Sequence, residues 1–237
     1  MKGSIINLFS YIVIALLFID CSTSIVDITK EGNVEKIKEK LAEGIDINKK
    51  DNDKTALVVA VESGRLDLTK LLLDSGADIE GSGSVQTPLM AAAYSGNMEL
   101  LNLLIEKRAN VNSKNKTGYT ALMFAAVSKC EDCINILIEN GADVNAKTSE
   151  GRTALMTAVA FRCKNCVQLL IRKGADVNAE AIEVYFFSVY DGGVTKTITN
   201  EKHVRPFDLA EGSEEIEKIL KEAGAKKGED RINSEIR

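Results

Sequence analysis

Thr120-Ala121-Leu122-Met123-Phe124-Ala125-Ala126-Val127-Ser128-Lys129-Cys130-Glu131-Asp132-Cys133-Ile134-Asn135-Ile136-Leu137-Ile138-Glu139-Asn140-Gly141-Ala142-Asp143-Val144-Asn145 decides how the chain is read. A threonine hydroxyl can cap the start of a helix. Leu122, Ala125 and Ala126 then recur at helical spacing on one face. A break follows at Ser128-Lys129, then a second apolar run, Ile134 to Ile138, ended by Gly141. Glycine suits that end because it takes the left-handed conformation without a Cβ clash. The stretch predicts two short helices and a reversing loop.

The same frame recurs outward in both directions. Thr55-Ala56-Leu57, Thr87-Pro88-Leu89, Thr120-Ala121-Leu122 and Thr153-Ala154-Leu155 start at intervals of 32, 33 and 33 residues. Each later break lies 12 residues before a closing segment: Gly64 before Gly76, Gly96 before Arg108, Lys129 before Gly141, Arg162 before Gly174. The flanking pairs Gly32–Gly44 and Gly212–Gly224 repeat the interval. A fixed period of this length means stacked supersecondary units, none of which can bury its apolar face alone.

These motifs resemble the ankyrin repeat. The matching features are the T-[AP]-L-[VM] openings, the Ala125-Ala126 type pairs, the L-L-[LI] runs and the closings G-A-D-[VI]-N. The resemblance covers residues 24–180 and 203–226 and implies an all-α solenoid of about six helix-turn-helix repeats. The units are 24–50, 51–83, 84–115, 116–148, 149–181 and 203–227. Lys36, Lys38 and Lys40 mark the first as a polar cap, and Glu214, Glu215, Glu217, Lys218 and Lys221 mark the last as the opposite cap. Residues 228–237 read as a solvated, disordered tail.

Thr153 to the equivalent Arg205 is 52 residues, one period of 33 plus 19. The excess falls at about 181–202, between repeats five and six. Two β-prone arms flank Asp191-Gly192-Gly193 there, so a β-hairpin insertion is expected. Tyr185, Phe186, Phe187 and Tyr190 place four of the chain's 12 aromatics in six residues. Two readings stand: the aromatics pack on the last repeat, or some of them bind a partner. His203, the single histidine, reads as a loop residue.

Cys130-Glu131-Asp132-Cys133 and Cys163-Lys164-Asn165-Cys166 are also 33 apart. Lys129 and Arg162 replace the turn glycines in the same two repeats. Equivalent residues of stacked repeats point the same way at about 8–10 Å, which does not converge on one zinc ion. No βαβ pattern suggests a thioredoxin-like site. One disulfide inside each repeat is the leading reading, ahead of free buried thiols, a zinc site and a redox pair.

The amino terminus carries an address. Lys2 precedes an uncharged run from Ile5 to Ile19, shorter than the ~20 residues of a spanning helix. Three outcomes compete: lipidation at Cys21, cleavage after Ser24 near the end of a 1–23 signal, or an uncleaved anchor. Each expects an exported protein, periplasmic or held at a membrane through its N-terminus, in a setting that permits disulfides.

Net charge is −5, from 30 basic and 35 acidic residues, which disfavours nucleic acid as partner. The chain shows no nucleophile–base constellation, phosphate loop or cofactor motif, so an enzyme, a cofactor and a metal are not expected. The ankyrin resemblance implies a protein-binding module that uses its concave surface and finger loops; a monomer is expected. The alternative is a redox or oxidant-protection role in the cell envelope, through the paired cysteines.

Overall fold

The computed structural model describes residues 24–81, 85–191, 194–228 and 232–236; for 183–201 and 232–236 it describes the backbone alone. Six helix pairs run along the described chain. They are α1 (Ile25–Glu31) with α2 (Val34–Ala42), α3 (Ala56–Glu62) with α4 (Leu66–Asp74), and α5 (Pro88–Ser95) with α6 (Met98–Glu106). Then come α7 (Ala121–Val127) with α8 (Glu131–Glu139), α9 (Ala154–Ala160) with α10 (Lys164–Arg172), and α11 (Pro206–Leu209) with α12 (Glu214–Glu222). First helices pack on first helices down the whole stack, and second helices on second helices from α4 to α12. Among the described residues no helix is long and apolar enough to cross a membrane.

The first helices form because threonine hydroxyls accept the orphan amides at their starts. Thr55, Thr87 and Thr153 accept from Val58, Met90 and Met156. They are almost wholly buried: Ala56 to Val61, Pro88 to Ala93 and Ala154 to Val159 are all shielded, because each helix is flanked by its own partner and two neighbouring repeats. Small alanines allow that close approach. The second helices bury one stripe only, Leu100, Leu101, Leu103 and Leu104 in α6.

Polar side chains lock each repeat to the next. Asn48, Asn112, Asn145 and Asn178 accept backbone amides of Asp78, Asp143, Asp176 and Lys226 at 2.7 to 2.8 Å. In repeat two Glu80 takes the asparagine's place and accepts from the Asn110 amide at 2.7 Å.

The insertion is the expected hairpin. β1 (Ala181–Asp191) pairs antiparallel with β2 (Val194–Val204), so it ends two residues later than the sequence suggested. The Ile182 amide donates to the Glu150 carbonyl at 2.8 Å, tying the hairpin's base to the preceding finger. Three expectations change. Residues 232–236, read as part of a disordered tail, pair as β3 with the open edge of β2. His203 lies in β2, not in a loop. Lys40, read as part of a polar cap, is buried: its stem lies on the core and its ammonium reaches Glu43 at 2.9 Å.

Candidate functional site

The first helices expose little, so what they do expose stands out. Tyr94, in the last turn of α5, is 56% exposed, and Phe161, which caps α9, is 45% exposed. The Tyr94 ring meets Phe124 of α7 edge-on at 6.2 Å, and Phe124 meets Tyr119 at 5.9 Å. Edge-to-face contact at this distance suits the quadrupoles of aromatic rings. The three rings form a strip from the far end of α5 to the finger before α7.

Each member is held from outside the strip. Asn115 Oδ1 accepts from the amides of Thr117 and Tyr119, at 3.1 and 2.9 Å, which folds the finger that presents Tyr119. Asn115 also donates to the Val85 carbonyl at 3.1 Å, linking this finger to the one before. Ser128 donates to the Ala93 carbonyl at 2.8 Å, fixing the end of α7 beside Tyr94. The next finger is joined by Lys114, whose ammonium donates to the Lys147 carbonyl at 2.9 Å.

The aromatic residues singled out in the sequence lie elsewhere. Tyr185, Phe186, Phe187 and Tyr190 stand on β1, opposite Asn200, Thr199, Ile198 and Thr195 of β2. Their side chains lie outside the described residues, as does Cys21. Tyr94, Tyr119 and Phe124 were missed. Their sequence signal was three aromatics at the edge of first helices that carry no charge at all in α5, α7 and α9.

The cysteines are brought together in pairs within each repeat. The Cys130 and Cys133 sulfurs are 2.10 Å apart, and those of Cys163 and Cys166 are 2.04 Å apart, both disulfide distances. Cys130 and Cys163 are the N-caps of α8 and α10, where their sulfurs accept the amides of Cys133 and Cys166 at 3.2 Å. Asn97 does the same for α6 with oxygen, at 3.0 Å. Cys133 and Cys166 are fully buried in the stripe that Leu100 occupies one repeat earlier. Lys129 and Arg162 take positive φ, 58° and 55°, where Gly64 and Gly96 take 69° and 68°. Among the described residues no group of three or more His, Cys, Asp or Glu side chains is placed to hold a metal ion.

A cleft of about 390 Å³ lies at the C-terminal repeat, lined by Lys202, His203, Asp208, Glu211, Glu217 and Lys227 among others. Its mixed charges show no preference for one ligand class.

Comparison with protein families matches two descriptions. "Ankyrin repeats (3 copies)" matches residues 89–181, and "Ankyrin repeats (many copies)" matches residues 57–105. Together they span the second to fifth helix pairs, the region of the aromatic strip and of both cysteine pairs. A search of curated proteins found no match.

Proposed function

We propose, from the premise that the chain belongs to the ankyrin-repeat family, that it is an exported protein-binding module. Repeats of this family are generally protein-interaction modules and typically non-enzymatic. The face formed by the first helices and fingers is the binding surface. The observation that supports this reading is the aromatic strip Tyr94–Phe124–Tyr119, which ends in the more than half exposed Tyr94 ring. Aromatic rings left open on an otherwise well-packed face are what interface anchors are made of. The hairpin residues Tyr185, Phe186, Phe187 and Tyr190 are a second candidate contact.

Export rests on the Lys2 and Ile5–Ile19 pattern, with Cys21 as the lipid attachment point or Ser24 as the end of a cleaved leader. An oxidising compartment fits the paired cysteines. Of the four, three are 7% exposed or less. Such sulfurs suit staples rather than thiol exchange with a substrate, which needs access.

Affinity capture from envelope extracts tests the function. The wild type should retain a protein that Tyr94→Ala with Phe124→Ala does not. Trimming 183–199 to a short turn should weaken capture while the solenoid keeps its helical content, because each repeat interface is local. Equal capture by all three proteins would reject this surface.

A further inference from the structure

The chain is acidic as a whole, yet in repeats three and four its charge is sorted by face. There the second helices α6 and α8 carry Glu99, Glu106, Glu131, Asp132 and Glu139, all exposed, and no lysine or arginine, whereas α10 of repeat five carries Lys164 and Arg172. On the opposite side the first helices α5, α7 and α9 carry no charge. The loops before α7 and α9 and the turns after those helices carry Lys114, Lys116, Lys129, Lys147, Arg152 and Arg162, against the carboxylates of Asp143 and Glu150; the loop before α5 carries Asp78 and Glu80 instead.

The cations fall in two rows. Lys114, Lys116 and Lys147 are exposed on the fingers before α7 and α9. Lys129 and Arg162 follow the last turns of α7 and α9, at the end where Tyr94 and Phe161 emerge. Arg162 keeps part of its guanidinium on the Gly212 carbonyl, at 3.1 Å. No carboxylate among the described residues pairs with Lys114, Lys116, Lys129 or Lys147. Among the loop acids, Glu80 is engaged by the Asn110 amide and the Ser113 hydroxyl, and Asp143 accepts the Asn145 amide at 2.9 Å. One repeat further toward the N-terminus the pattern stops, because Glu62 of α3 is bound by Lys54 at 2.7 Å.

We infer that this face takes an acidic polypeptide segment with an apolar or aromatic anchor. The anchor packs on Tyr94 and Phe124, and the flanking carboxylates meet the finger and end-turn cations. The inference rests on the protein-binding reading and names its partner class. Complementary charge at the rim sets partner choice and encounter rate, while the buried rings supply affinity. A polynucleotide fits less well. It extends past the patch and meets the field of a chain with net charge −5, whereas a short segment meets only the local cations.

Selection from a displayed library of random 12-residue peptides on the full chain tests this. Enriched peptides should be rich in Asp and Glu around one bulky apolar residue. A synthetic peptide from that pool should lose about tenfold in affinity to K116E/K147E, two surface charge reversals, with helical content unchanged. Tyr94→Ala should weaken it too. Enrichment of basic or neutral peptides that still need Tyr94 would overturn the acidic assignment and leave protein binding standing. No enrichment above the bare matrix would overturn both. A 20-residue oligothymidine that competes as well as the peptide would reassign the face to nucleic acid.

Discussion

The rings of Tyr94 and Phe124 meet at 88° across the boundary between repeats three and four. They are 30 residues apart rather than the repeat length of 33, so the contact is specific to this chain's side chains and not a product of the period. An edge-to-face pair is worth about 0.5–1.5 kcal/mol beyond burial. Because Tyr94 is more than half exposed, Tyr94→Ala should cost about 1 kcal/mol or less in stability while abolishing most binding. Chemical denaturation and binding to the selected peptide, measured on one preparation, check this. A stability loss of several kcal/mol would mark Tyr94 as a packing residue instead.

The cysteine pairs and the left-handed residues before them are a second coupled feature. Holding Lys129 at φ 58° costs a non-glycine residue about 1–2 kcal/mol. A four-residue disulfide loop returns roughly 2 kcal/mol in the chain-entropy account. Reduction of both bridges should therefore lower stability by about 1–3 kcal/mol in total and leave the repeat fold intact. Lys129→Gly should recover about 1 kcal/mol in the reduced protein. Intact mass after alkylation counts the thiols; four free thiols in protein taken from an oxidising compartment would remove the bridges from the account.

Thr120 departs from the other opening threonines. Its hydroxyl is buried and has no hydrogen-bond partner, whereas the Thr153 hydroxyl caps Met156 at 3.3 Å. Thr153→Val should cost about 1 kcal/mol, as capping threonines do. Thr120→Val should be neutral or stabilising, because it removes an unsatisfied polar group without removing a bond. Thermal unfolding of the two variants side by side distinguishes them; equal losses would mean that Thr120 caps after all.

Asp67 supplies a pH test. Both its carboxylate oxygens accept from the Arg65 guanidinium, at 2.9 and 2.8 Å, and this holds its pKa down from 3.8 to about 2. A depressed carboxyl stabilises the fold above its unfolded pKa, and the gain is lost as pH falls through the folded value. The stability advantage of wild type over Asp67→Asn should be constant above pH ~5, fall as pH drops through ~2, and be gone near pH ~1. Titration of the side-chain carboxyl by NMR gives the value directly; an ordinary pKa near 3.8 would dismiss the pair.

The solenoid was legible because its rules are local and repeated. Thr153, Ala154, Leu155, Gly174 and Asn178 each specify a cap, a packing face, a helix end or an inter-repeat bond, and the period multiplies them. The hairpin was legible from Asp191-Gly192-Gly193 between two β-prone arms. The candidate site was not, because Tyr94, Phe124 and Tyr119 meet only after the stack brings neighbouring repeats together. Lys40 was misread because a lysine's charge says nothing of where its aliphatic stem lies. β3 was not legible because pairing with β2 joins residues 30 to 38 apart.

The central claim is that partners bind the face of the first helices and fingers. Its most direct test is photo-crosslinking from benzoylphenylalanine placed singly at position 94, or at position 102 on the exposed side of α6. The account predicts that a polypeptide is trapped from position 94, that it is not trapped from position 102, and that the trapped segment is acidic. Adducts formed equally from both positions, or from position 102 alone, would contradict it.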